Sequence, residues 1–165
     1  MFEPDELLLA LTRAQVEFVV IGGVAVAVHG FVRATQDLDI VPARDAENLQ
    51  RLAQLLEEID AQHVGIEGFE RDEFPYDATD PAALLDGANL RLETRLGPID
   101  IMQWVAGLDG ESAYNELSTA IVSVAFRGAE IHVCSLKHLL AMKRAAARPQ
   151  DLEDLGRLLD PHSGP

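Results

Sequence analysis

Two aspartates stand two residues apart in DLDIV, Asp37 and Asp39, with apolar residues between and after them. In an extended segment this spacing sends both carboxylates out of one face, about 7 Å apart, while Leu38 and Ile40 leave the other face toward a core. Further along, PIDIMQ holds Asp100 between Ile99 and Ile101, again a single acid on the polar side of an apolar run. If the two segments are neighbouring strands, three carboxylates converge on one patch of sheet. Their mutual repulsion then calls for a counter-ion. An all-oxygen donor set suits hard divalent cations such as Mg²⁺, with Mn²⁺ able to substitute. Two such ions, roughly 3.5–4 Å apart, can clamp the attacking and leaving oxygens of a phosphoryl or nucleotidyl transfer. An isolated D-x-D also fits the wet face of an edge strand, so the reading depends on what surrounds the pair.

Upstream, EFVVI runs straight into Gly22-Gly23 and then VAVAVHG. A strand ending in glycines that open a helix can cradle phosphate, because the backbone approaches closely and free N–H groups point at the ligand. A turn that needs glycine only for its backbone conformation gives the same string. A dinucleotide fold is excluded in detail: the G-x-G-x-x-G spacing is absent, and about 14 residues between the glycines and Asp37 leave no room for a crossover helix. Arg33 and Thr35 lie just before the acid pair, where Arg33 can hold phosphate oxygens or brace a carboxylate. His29 reads as a packing residue at a helix end.

A cation appears where an apolar residue is expected. In SLKHLLAMKRAAA, helical spacing puts Leu136, Leu139, Leu140, Ala146 and Ala147 on one face, with Lys143 in its middle. An unpaired buried charge costs several kcal/mol, so the lysine needs an anionic partner, either a ligand or a carboxylate of the chain. A stem that packs while the ammonium reaches water is the alternative.

These residues need elements to position them. The pattern predicts a first helix in EPDELLLALTRAQ, a strand at 17–21, a short helix at 22–30, a strand at 37–41 and a long helix carrying Leu49, Leu52, Leu55, Leu56 and Ile59. Residues 65–80 read as an acidic loop. Segments 89–95 and 98–104 form a hairpin around Leu96-Gly97, a helix covers about 109–119, and IVSVAFRG and AEIHVC form a second hairpin. The lysine helix follows, and Pro149 opens a last helix with Leu152, Leu155 and Leu159. The whole is α+β (mixed α/β), a small mixed sheet flanked by helices, in a single domain over 1–165 with helices in 135–160 packed on the sheet.

The composition bounds the reading. The 165 residues carry a net charge of −15, which repels polyanions and argues against general coating of nucleic acid. Arg91, Arg95, Arg144 and Arg148 can still make a local basic rim. One cysteine, Cys134, permits no internal disulfide and fits a cytoplasmic setting. No signal peptide is visible, and no apolar run is long enough to span a bilayer.

The strings GGVAVAVHGFVRATQDLDI, LGPIDIMQW and LLAMKRAAARPQDLEDLGRLL together resemble the DNA polymerase β-like nucleotidyltransferase superfamily, in particular its minimal bacterial branch, which includes toxins of the abortive-infection type. The resemblance spans roughly residues 16–160. It implies a mixed sheet flanked by helices, two Mg²⁺ ions, and transfer of a nucleoside monophosphate from an NTP to a tRNA, protein or small-molecule hydroxyl. Asp37, Asp39 and Asp100 would hold the metals and act in catalysis. Gly22, Gly23, Arg33, Thr35, Lys143 and Asp151 would bind the nucleotide, with Lys143 facing the β/γ-phosphates and Asp151 orienting Lys143 or touching the substrate. Asp154 matches an acid-rich last helix. An antitoxin partner belongs to the same implication. Many members have serine where this chain has Gly23, so one hydroxyl contact to phosphate is missing. Two other classes stay open: a nucleotide- or partner-binding module without turnover, and an acidic interaction protein whose aspartates are solvated.

Overall fold

The computed structural model describes residues 3–64, 77–87 and 89–160. In chain order the elements are α1 (Asp5–Arg13), β1 (Phe18–Val20), α2 (Gly22–Val28), β2 (Leu38–Pro42), α3 (Ala46–Glu58), β3 (Gln62–His63) and α4 (Pro81–Asp86). They continue with β4 (Leu90–Glu93), β5 (Ile99–Ile101), α5 (Ala113–Ser118), β6 (Ile121–Phe126), β7 (Ala129–Cys134), α6 (Leu136–Ala146) and α7 (Pro149–Leu159).

The seven strands form one mixed sheet in the order β3-β4-β5-β2-β1-β7-β6. At its centre β2 runs parallel to β5 and antiparallel to β1, while β1 runs parallel to β7. The central strands read FVV, LDIVP and IDI because almost every position is buried. That is the pattern of strands covered on both faces rather than half-wetted ones. Leu38, Ile40, Ile99 and Ile101 are fully buried in the main core with Leu49, Leu52 and Leu56 of α3. Asp45 caps α3 by accepting from the Asn48 N–H, and Asn48 in turn bonds Glu17 and Ala43 backbone groups, tying the helix to the sheet.

Several boundaries differ from the sequence reading for local reasons. The helix expected over 109–119 is confined to Ala113–Ser118, because Ser112 caps it by accepting from the Asn115 N–H. Asp80 and Pro81 start an unforeseen helix, α4, just past the acidic stretch, and Gly87 ends it in a left-handed conformation. Of the segment expected as a loop, 65–76 lies outside the described residues. The strand β3 is only two residues long and was too short to leave a period. The first hairpin is tighter than 89–95 and 98–104, with strands limited to Leu90–Glu93 and Ile99–Ile101. Helix α6 is turned about its axis relative to the expectation: His138, Leu139, Met142 and Lys143 are buried, whereas Leu136, Ala146 and Ala147 are exposed. Among the described residues no helix is long and apolar enough to cross a membrane.

Candidate active site

The pairing of β2 with β5 sets Asp39 directly opposite Asp100, and the pairing of β4 with β5 sets Arg91 opposite Asp100. Neighbouring strands lie about 4.8 Å apart, so the three side chains form one row across three strands. Asp37 enters the same cavity from the residue just before β2. The Arg91 guanidinium lies between acids, its Nε 3.3 Å from Asp100 Oδ2 and its Nη2 3.9 Å from Asp37 Oδ2.

The glycine turn joins this row. Gly22 has φ +62°, and a Cβ there would overlap the Asp39 carboxylate. The Gly23 N–H lies close enough to that carboxylate to favour its charged form. The turn therefore first serves the acid: it gives Asp39 the room to lie against the start of α2. Burial, then the nearby Asp37 and Asp100 charges, push the Asp39 carboxyl up to about 7, against the pull of Lys143 and the Gly23 N–H. Asp100 is also raised, because burial outweighs the Arg91 guanidinium beside it.

A second cluster faces the acids from the helical side. Lys143 is 6% exposed, and its Nζ lies 2.8 Å from both Asp151 Oδ1 and Asp154 Oδ2 on α7. Arg33 reaches from the loop before β2 and forks onto Asp154, with Nε donating to Oδ1 at 2.8 Å and Nη2 to Oδ2 at 2.9 Å. Arg148 precedes α7 and donates from Nε to Asp151 Oδ2 at 2.7 Å. The network thus reads Arg33–Asp154–Lys143–Asp151–Arg148, three cations on two carboxylates. Burial raises Asp151 and Asp154, but hydrogen bonds from Arg148 or Arg33 and from Lys143 outweigh it and hold both below the ordinary carboxylate range. The buried helical cation of the sequence reading has carboxylate partners, one of the alternatives left open for it.

Together the two clusters line a cavity of about 610 Å³ whose walls include Gly22, Gly23, Arg33, Thr35, Asp37, Asp39, Arg91, Asp100, Lys143, Arg148 and Asp151. Every residue singled out from the sequence as catalytic or nucleotide-binding is on that list of walls. Of the expected basic rim, Arg91 and Arg148 reach the cavity, whereas Arg95 lines a different one and Arg144 lines neither. His29 sits apart, its Nε2 2.8 Å from the Cys134 carbonyl, where it ties α2 to β7. Asp154 was legible only as part of an acid-rich helix; its i+3 spacing from Asp151, one turn on, was the available signal.

The fit to divalent cations rests on the donor set and its electrostatics. Asp37, Asp39 and Asp100 offer oxygens only, and burial together with the neighbouring carboxylates raises the proton affinity of Asp39 and Asp100. Among the described residues no three such side chains stand assembled as a ready metal-binding group. Arg91, bridging Asp100 and Asp37, takes the place of a cation there, and a metal at this point requires the guanidinium to swing out.

Gly23 has a physical reason to be glycine. A Cβ at this position would stand 2.5 Å from Thr35 Oγ1, which itself donates to the Asp37 carbonyl at 3.0 Å. Gly23→Ser is therefore expected to destabilise the protein by about 1–3 kcal/mol, read as a lower denaturation midpoint. Gly23→Ser combined with Thr35→Ala is expected to recover most of that loss.

No protein-family model matches the sequence, and no curated protein matches it significantly. Solved structures do. The lincosamide antibiotic adenylyltransferase LnuA, in its lincomycin-bound form, superposes with a TM-score of 0.58 at 17% identity, over 93% of this chain and 92% of that one. The antibiotic-resistance factor ANT(2'')-Ia gives 0.57 at 15% identity, over 96% of this chain and 81% of that one. It has also been seen in complex with adenylyl-2''-tobramycin. An antigenic nucleotidyltransferase-like protein from Paracoccidioides brasiliensis gives 0.52 at 15% identity, over 94% and 72%. At such identities the likeness establishes architecture: this chain has the nucleotidyltransferase-like fold, a seven-stranded mixed sheet flanked by helices.

Proposed function

We propose that the protein is a nucleotidyltransferase that moves a nucleoside monophosphate from an NTP to an acceptor hydroxyl. The observation that carries this reading is the juxtaposition in one cavity of two strand-borne aspartates and a third just before β2, a glycine turn at a helix start, and a helical cation network facing them. The fold likeness to nucleotidyltransferases supports it.

In this reading Asp37, Asp39 and Asp100 hold two Mg²⁺ ions, with Mn²⁺ able to substitute. The ions supply charge neutralisation at the α-phosphate and lower the pKa of the acceptor hydroxyl. The chain's own residues do the rest. The Gly22-Gly23 turn lets the triphosphate approach the start of α2 closely, and the cations of the helical side orient it. Arg33 and Thr35 shape the wall around it, and Lys143 and Asp151 set the charge of the opposite wall. Asp100, opposite Asp39 in the strand register and facing the same cavity, accepts the hydroxyl proton. The acceptor oxygen bonds to the α-phosphorus, the bond to the β-phosphate bridging oxygen breaks, and pyrophosphate leaves.

The acceptors named for the structural neighbours are antibiotics, so a small-molecule hydroxyl stands beside tRNA and protein as an acceptor class. Incubation of the purified protein with radiolabelled NTPs, Mg²⁺ and pooled tRNA, protein and small-molecule acceptors is expected to label one of them. No label in any pool, together with no NTP binding by calorimetry, contradicts the reading. A toxin role with a neutralising antitoxin is the finer proposal, resting on sequence resemblance. It predicts growth arrest on expression in bacteria that Asp39→Asn relieves; equal growth with and without the wild-type chain contradicts it.

A further inference from the structure

We infer that Arg148 is the phosphate-gripping residue of the helical wall, aimed by Asp151 as a positioning residue. The inference rests on the nucleotidyl-transfer reading above and singles out which of the helical-side cations takes the phosphate oxygens. It follows from counting which donors remain. The chain has only 13 cationic side chains against 28 acids, and four of the 13 line the cavity. Arg33 has Nε and Nη2 on Asp154 and Nη1 on the Ala34 carbonyl, so three of its five N–H donors are engaged and neither terminal nitrogen is wholly free. Lys143 is buried with two carboxylates at 2.8 Å, leaving one N–H. Arg91 is held between Asp100 and Asp37, on the acid side where metal charge would repel it.

Arg148 differs on each count. Its side chain is 73% exposed yet fixed, with Nε donating to Asp151 Oδ2 at 2.7 Å and Nη2 reaching Oδ1 at 3.4 Å. Its backbone N–H also bonds Asp151 Oδ2. Nη1 and the outer Nη2 hydrogen have no partner among the described residues, and Arg148 lines the cavity, so its guanidinium can offer a planar pair of donors to two phosphate oxygens there. Asp151 is itself immobilised by the buried Lys143. The buried lysine thus acts at one remove, holding the carboxylate that holds the arginine.

Isothermal calorimetry with Mg²⁺ and each of ATP, GTP, CTP and UTP tests this, on wild type, Arg148→Gln, Arg148→Lys and Asp151→Asn. The corresponding nucleoside monophosphates serve as controls. Loss of a charge-assisted fork is expected to weaken triphosphate binding by about 10- to 100-fold in Arg148→Gln. Monophosphate affinity should stay put, while the melting temperature should fall modestly because Asp151 loses one of its two cations and keeps Lys143. Arg148→Lys, which keeps the charge and loses the fork, is expected several-fold weaker than wild type. Asp151→Asn is expected to lower the triphosphate-to-monophosphate affinity ratio, which a purely structural role would leave unchanged. Wild-type affinity in both Arg148 variants overturns the inference alone. Failure of the wild type to bind any NTP overturns it together with the reading beneath it.

Discussion

Asp39→Asn is expected to yield a protein that is more stable than wild type without metal and that transfers nothing. Both halves have the same cause. Asp39 lies against the glycine turn with Asp37 and Asp100 nearby, and its carboxyl is pushed up to about 7 by burial and those charges. In the unfolded chain it titrates near its ordinary value of about 4. Between these values the folded state binds more protons than the unfolded state, so stability falls as pH rises through the window from about 4 to about 7. The penalty is complete above pH 7 and absent below about 4. Asp100, raised in the same direction, adds to the slope. Asparagine carries no charge to desolvate and should recover on the order of 2 kcal/mol at pH 8. Calorimetric melting from pH 5 to 8 without divalent ions is therefore expected to show a falling midpoint for wild type and a flatter line for the variant. Transfer should drop by at least about 10²–10³-fold, since a charged group at the reacting phosphate is gone. A variant that retains activity would mean that the metal site has been misplaced.

Lys143→Met is expected to be the most destabilising single change in the cavity. It would strand Asp151 and Asp154, whose residues are 1% and 0% exposed, with only Arg148 and Arg33 to compensate them. Breaking a buried ion pair by deleting one partner typically costs about 3–5 kcal/mol, mostly because the other charge is left behind. Neutralising the stranded acids as well should reverse much of that loss. Chemical denaturation of Lys143→Met against the triple variant with Asp151→Asn and Asp154→Asn measures the difference. If the single variant loses less than about 1 kcal/mol, the lysine is solvated rather than clamped.

Much of the site was legible because strand periodicity is strict. Asp37, Asp39 and Asp100 could be placed on the polar sides of apolar strands from spacing alone, and the register of β2 with β5 then makes them neighbours. What periodicity does not contain is which strands pair, so the convergence was conditional until the sheet order was known. The phase of α6 was misjudged because alanines are mute: Ala146 and Ala147 fit a buried or an exposed face, while Met142 marked the buried side. The partners of Lys143 were partly visible, since an acid-rich helix follows it, but the pairing with both Asp151 and Asp154 depends on how α7 folds back. Arg91 between Asp37 and Asp100 was readable only as a basic rim, because a cross-strand contact leaves no trace along the chain. Helix α4 was hidden by its brevity and by the acidic stretch before it, although Asp80-Pro81 is a recognisable start.

The most direct test is anomalous diffraction from crystals soaked with Mn²⁺ and a non-hydrolysable NTP. Manganese is expected about 2.1–2.2 Å from carboxylate oxygens of Asp39 and Asp100, with Arg91 swung away and the triphosphate running from the Gly22-Gly23 turn toward the helical cations. Manganese bound elsewhere, or a nucleotide in the cavity with Arg91 still bridging Asp100 and Asp37, would contradict the account.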